Sequence, residues 1–211
     1  MKAFFFMTKT TAMILVLTLL LSTKSFGQSS AGHSDSTAVS GMTAFKQAIN
    51  FCPIAIAFGI YSVNYERLTN DHHGFMIRGD YESIPNRFSD ANINVSGKAA
   101  IVNYRYHVKG GLNSLFIGAF SRYRVYTGDG NLKDTSFDFT LSEITIGANA
   151  GKRWILKNGL NLNLVLGYGL FMDKMDSSSS DSDIINSIHT FQKEYDLYNG
   201  LYGEVSIGYA F

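Results

Sequence analysis

From Leu160 to Met172 the chain reads LNLNLVLGYGLFM. Leu160, Leu162, Leu164, Leu166, Tyr168, Leu170 and Met172 fall on one parity, and Asn161, Asn163, Gly167 and Gly169 on the other. Side chains of a strand point alternately to its two faces, so a period of two predicts a strand with one apolar face, whereas helical spacing would scatter the leucines. The same sorting recurs along the chain. Phe75, Ile77 and Tyr81 oppose Arg78, Asp80 and Glu82; Tyr61, Val63 and Tyr65 oppose Ser62, Asn64 and Glu66; Tyr104, Tyr106 and Val108 oppose Asn103, Arg105 and His107. Ile144, Ile146, Ala148 and Trp154 oppose Glu143, Thr145, Asn149 and Arg153, and the final LYGEVSIGYAF sets Leu201, Val205, Ile207, Tyr209 and Phe211 against Tyr202, Glu204, Ser206, Gly208 and Ala210. Upstream of Val102 the phase slips, because Val95, Ala99 and Ile101 take the opposite parity, and a β-bulge is the simplest expectation there.

The connections are of two kinds. TNDHH (69–73), KGGLN (109–113) and KNGL (157–160) are tight and rich in hairpin residues. PNRFSDAN (85–92), TGDGNLKDTS (127–136) and the stretch 173–196 are longer, and short alternates with long. Eight strands are expected near 43–53, 56–68, 74–84, 93–108, 114–127, 138–156, 160–173 and 197–211. An even number with short turns at one end and long loops at the other is the pattern of an antiparallel up-and-down transmembrane β-barrel.

Composition agrees with an all-β chain, with 29 aromatic residues, 20 glycines and two prolines among 211 residues. The net charge of +1 gives no reason to expect nucleic acid as a partner. Residues 1–27 read as a signal peptide, with Lys2 and Lys9 ahead of the apolar run 12–21 and the small residues Ser25 and Gly27 before a cleavage point. That run is near ten residues against the roughly 20 of a transmembrane helix. Residues 28–42 are a polar, serine-rich lead-in expected to be disordered, and the barrel is expected over 43–211.

Alternation alone does not say which face is outside, since a soluble lipocalin-like barrel turns its apolar face inward. The polar face carries Glu66, Asp80, Glu82, Glu143 and Glu204 with Arg78, Arg105, Arg122, Arg124 and Arg153, which is five acids against five of the chain's seven arginines. Most lysines of the mature chain fall in loops, turns or strand ends. Arginine suits enclosed ion pairing because its planar fork meets a carboxylate in two places. The polar face is therefore expected to line a closed lumen as a charge network. The apolar face, rich in tyrosines toward the segment ends, suits interfacial aromatic girdles.

The leader, YERL with TNDHH, YRYHV, GYGL and the terminal GYAF resemble the small outer-membrane β-barrel proteins of the porin-like superfamily, nearest an uncharacterised Bacteroidetes-type family. That resemblance implies outer-membrane localisation, contact with outer-membrane lipids, and Ile207, Tyr209 and Phe211 as the signal read by the barrel-insertion machinery. It covers about residues 43–211, and its motifs mark architecture more than chemistry.

No catalytic constellation is readable. His33 lies in the lead-in, His72 and His73 in a turn, His107 near a strand end, and His189 among serines and aspartates without triad spacing. Asp173, Asp176, Asp181 and Asp183 lack the spacing and glycine of a calcium loop. Cys52, the only cysteine, reads as a small apolar filler. No cofactor or metal is expected. The leading expectation is a monomeric, non-enzymatic barrel with a filled lumen and a structural or surface-interaction role. The alternatives are a narrow transporter or binder of small amphiphiles, a lipid-modifying enzyme, and a soluble periplasmic lipocalin-like binder.

Overall fold

The computed structural model describes residues 45–84, 93–132, 135–195 and 200–211. The expected signal peptide, the expected lead-in with His33, and the connection 85–92 lie outside them. Eight strands, β1 (Gln47–Phe51), β2 (Ile60–Leu68), β3 (His73–Ile84), β4 (Ile93–His107), β5 (Leu115–Leu132), β6 (Thr135–Ile155), β7 (Leu160–Ser177) and β8 (Leu201–Ala210), pair in chain order. All pairs are antiparallel, and β1 pairs with β8 so that the sheet closes on itself. The seam runs to the final residue: the Phe211 amide donates to the Gln47 carbonyl, and the Phe211 carbonyl accepts from the Lys46 and Gln47 amides. Closure leaves no unpaired sheet edge to template aggregation.

The parity of the sequence becomes inside and outside. On β4, Ile93, Val95, Gly97, Ala99, Ile101, Asn103, Arg105 and His107 are all buried, while Asn94, Lys98, Ala100, Val102, Tyr104 and Tyr106 are exposed. The expected bulge near Val102 is absent, because β4 pairs residue for residue with β3 and with β5 throughout. Val95, Ala99 and Ile101 face inward with the arginines. The phase of polarity slips, not the backbone, because the interior is apolar over part of its height. Met76, Ala99, Ile101, Phe116, Phe120, Val165 and Tyr202 form one interior apolar cluster.

Three connections differ from expectation. Pro53 opens a short helix, α1 (Pro53–Ile56), where strand was expected on either side, so β1 is only 5 residues long. Proline at the first helical position costs nothing, since that N–H has no helical partner. The polar stretch 127–136 is largely strand, since β5 runs to Leu132 and β6 begins at Thr135. Within 173–196, β7 continues to Ser177 and a 14-residue helix follows, α2 (Ser182–Tyr195).

These departures share a cause. Ile184, Ile188 and Phe191 of α2 are buried against Ile93, Val95, Tyr126, Phe137, Phe139 and Leu141 on the inner faces of the prolonged strands. The long hairpins extend past the other strands to supply that surface, and burial of a large apolar side chain contributes about 1.5–3 kcal/mol, more than turn chemistry opposes. Glycines make the room. An added Cβ on Gly97 would lie within van der Waals radii of the Tyr126 ring, and one on Gly128 would do the same to Phe139. At the opposite end the turn 108–114, with Gly110 and Gly111 at positive φ, folds Leu112 inward against Ala48, Leu68 and Ala210. Only residues without a Cβ reach that backbone region cheaply.

Candidate functional site: two ion-pair networks inside the barrel

The interior side chains gather by charge. Toward the tight-turn end, Glu66 of β2 is the hub: its Oε2 accepts from Arg105 Nη1 at 2.6 Å and Arg153 Nη2 at 2.7 Å, and its Oε1 lies 2.9 Å from His107 Nε2. Glu66, Arg105, Arg153 and His107 are all 0% exposed. Arg105 also lies over the Phe116 ring, 4.4 Å from its centroid, and reaches Glu204 Oε2 at 3.4 Å. Glu204 Oε1 accepts from Asn64 Nδ2 (2.9 Å), Asn163 Nδ2 (2.6 Å) and Ser206 Oγ (2.6 Å), and the Tyr202 hydroxyl donates to Oε2 at 3.1 Å. Arg78 bridges onward, with Nε 2.7 Å from Asp80 Oδ1 and Nη1 3.9 Å from Glu204 Oε2.

A second network lies toward the loop end. Glu143 and Arg153 are both on β6, ten positions apart, which is roughly 33 Å of strand. Arg122 Nη2 donates to Glu143 Oε1 at 2.9 Å and to Thr145 Oγ1 at 3.1 Å, and its Nη1 donates to the Leu201 carbonyl at 3.0 Å. Arg124 lies beside Glu82 at 3.4 Å, without hydrogen-bond alignment, and beside Glu143 at 3.9 Å. The Tyr126 hydroxyl donates to Glu82 Oε2 at 2.7 Å.

Each network is neutral by itself. The first sets Arg78, Arg105 and Arg153 against Glu66, Asp80 and Glu204, with His107 beside Glu66. The second sets Arg122 and Arg124 against Glu82 and Glu143. A buried charge is tolerated only when paired and hydrogen-bonded, so local balance is what this interior requires. His107, Tyr126, Tyr202, Asn64, Asn163 and Thr145 belong to the networks although charge reading passed over them. Parity carried the signal for His107 and Tyr202, which share a face with Arg105 and Glu204 respectively.

The outer face is apolar. Tyr61, Tyr81, Tyr104, Tyr106, Tyr123, Tyr168 and Tyr209 are exposed on it, with Ile77, Val102, Ile117, Ile146 and Leu170 among them. Tyr65 and Trp154 are half-buried there, and Lys152 lies over the Trp154 ring. Leu164 has outward parity but is only 5% exposed, covered by its neighbours on the wall. In β8 and at its end, Ile207 pairs opposite Phe51 and Tyr209 opposite Ile49, and Phe211 is exposed.

The remaining candidates do not converge. His72 Nδ1 lies 2.7 Å from the His107 carbonyl, His73 Nδ1 lies 2.5 Å from the Tyr104 hydroxyl, and His189 is exposed on α2. Asp176 pairs with Lys174, Asp181 accepts from the Asp183 amide, and Asp173 accepts from Gln192. Among the described residues no group of three or more His, Cys, Asp or Glu is placed to hold a metal ion. Cys52 is buried and unpaired, and no described helix is long and apolar enough to cross a membrane, which says nothing of strands.

The family described as Protein of unknown function (DUF3575) matches residues 14–199. No curated protein matches the chain. Two solved structures are similar to it. Acinetobacter baumannii CarO2 is 12% identical, with 79% of this chain and 98% of that chain covered and a TM-score of 0.41. Acinetobacter baumannii CarO is 11% identical, with 80% and 98% covered and a TM-score of 0.39.

Proposed function

The chain belongs to the family of proteins of unknown function DUF3575, and we propose from its geometry that it is a closed, non-enzymatic outer-membrane barrel with a structural and surface-presenting role. The observation that carries this reading is the inversion of polarity: paired charges inside, a belt of exposed Ile, Val, Leu and Tyr outside. A water-soluble monomer rarely exposes an apolar patch beyond a few hundred Å². An encircling one fits acyl chains, with tyrosines at the headgroup level. Closure of the lumen is supported by the neutral networks and by an apolar plug at each end, Leu112 with Leu68 at one and α2 over Phe137 and Phe139 at the other. Eight strands leave an interior just wide enough for side chains. The prolonged β5–β7 sheet capped by α2 would then be what the barrel holds at the cell surface, and Ile207, Tyr209 and Phe211 would be read by the insertion machinery.

A second reading, a narrow transport path for small amphiphilic ligands, is favoured by the buried amides of Asn103, Asn149 and Asn161, whose oxygens and nitrogens have no protein partner among the described residues. Buried amides of that kind hold water or a ligand. Planar-bilayer recording separates the two. The closed reading predicts no unitary conductance above membrane leak, and stepwise ohmic openings would replace it with the transporter reading.

A further inference from the structure

From Gln47 to Tyr65 no side chain is charged, and its centre, FCPIAIAFGI (51–60), is the β1–β2 connection at the loop end. Every other connection at that end is polar in sequence. This one holds α1, and Ile54, Ile56 and Phe58 are 55%, 47% and 54% exposed. A loop meant for water has no reason to present three large apolar side chains together.

Its position supplies the reason. β1 has 5 residues, β2 has 9 and β8 has 10, against 15 to 21 in β4 to β7, so the wall is low on this side. Five strand residues at the usual tilt climb roughly 13 Å, about half of the ~25 Å apolar band of such a barrel. α1 continues the outward apolar surface upward from Phe51 on β1 and beside Tyr61 on β2, both exposed. The backbone of the connection is paired internally in part, the Ile54, Ala55 and Ile56 amides at the start of α1 having no acceptor among the described residues. Pro53 has no N–H, Cys52 donates to the Ser62 carbonyl, and Ala57, Phe58 and Gly59 donate to Ile54, Ala55 and Ile56, while the Gly59 carbonyl accepts from Ser83.

We infer that the β1–β2 connection is embedded in the membrane, with Ile54, Ile56 and Phe58 of the α1 segment against lipid acyl chains of the loop-side leaflet, completing the low wall of the barrel. This rests on the proposal that the barrel spans a membrane. The segment is then a lateral lipid contact and not a surface loop.

The test uses the full mature chain with its single tryptophan moved. In a Trp154→Phe background, Phe58→Trp reports on α1 and Ile146→Trp reports on the outer belt, each reconstituted in bilayers of ordinary and of acyl-brominated phosphatidylcholine. Blue-shifted emission at both positions, quenched by bromolipid to a similar fraction, is the expected result. Quenching at 146 with red-shifted, unquenched emission at 58 overturns the inference while leaving the membrane barrel in place. Blue-shifted but unquenched emission at 58 overturns it in favour of a second copy of the chain on α1. Absence of quenching at both positions removes the membrane reading and this inference with it.

Discussion

Glu66→Ala lowers the stability of the folded barrel by about 3–5 kcal/mol, the cost of leaving a buried charge without its partner. Glu66 is the carboxylate that Arg153 touches, and it also holds Arg105 and His107, all fully enclosed. Arg105 retains Glu204 after the substitution; Arg153 retains no direct carboxylate contact among the described residues. The change is measured as the urea midpoint of the purified protein refolded into lipid vesicles. Arg105→Ala costs less than Glu66→Ala, because Glu66 still has Arg153 and His107. Glu66→Gln, which keeps an acceptor and loses the charge, falls between them. An unchanged midpoint for Glu66→Ala contradicts an enclosed network, since a solvated arginine would simply be hydrated.

On the proposed membrane barrel Ile146→Arg has the second large effect, about 2–4 kcal/mol for a cation on the lipid face near the midplane. Ile146 is 62% exposed and stands in a row across the wall, paired opposite Ser121 and Leu170, with Ser121 opposite Val102 and Val102 opposite Ile77. The variant inserts into vesicles with reduced yield and unfolds at lower urea. Wild-type insertion by Ile146→Arg would move this face out of lipid and return the molecule to water. Leu164 is the weaker position for the same test, because neighbouring side chains already cover it.

The fold was legible where a strand is amphipathic along its whole length. β3 and β4 were expected at 74–84 and 93–108 and run 73–84 and 93–107, and the eight-strand antiparallel ring follows from the count and the turn pattern. Legibility failed where interior polarity changes along one strand. Val95, Ala99 and Ile101 share the inner face with Arg105, so a rule equating inside with polar reads a backbone irregularity into β4 that register excludes. It failed again in 173–196, where serines and aspartates dominate the composition. The spacing of Ile184, Ile188 and Phe191 at four and three residues is a helical stripe, and a partner surface on Phe137 and Phe139 gives it something to bury against. That surface lies on a hairpin whose Gly-Asp-Gly-Asn stretch looks like a loop locally, so neither half is visible without the other.

The charged positions themselves were readable from parity, and their partners were not. Arg105 and Glu66 lie on β4 and β2, strands that do not pair, and they meet across the interior. Contacts of that kind depend on barrel closure and strand stagger, which no local pattern encodes.

The most direct test of a membrane barrel with its apolar face outward is the gel migration, unheated and boiled, of mature protein extracted from outer-membrane fractions in mild detergent. The account predicts that the protein is recovered from that fraction and runs as a faster band unheated, which shifts to full apparent mass on boiling. Recovery as soluble periplasmic protein, with one band position regardless of heating, would contradict it.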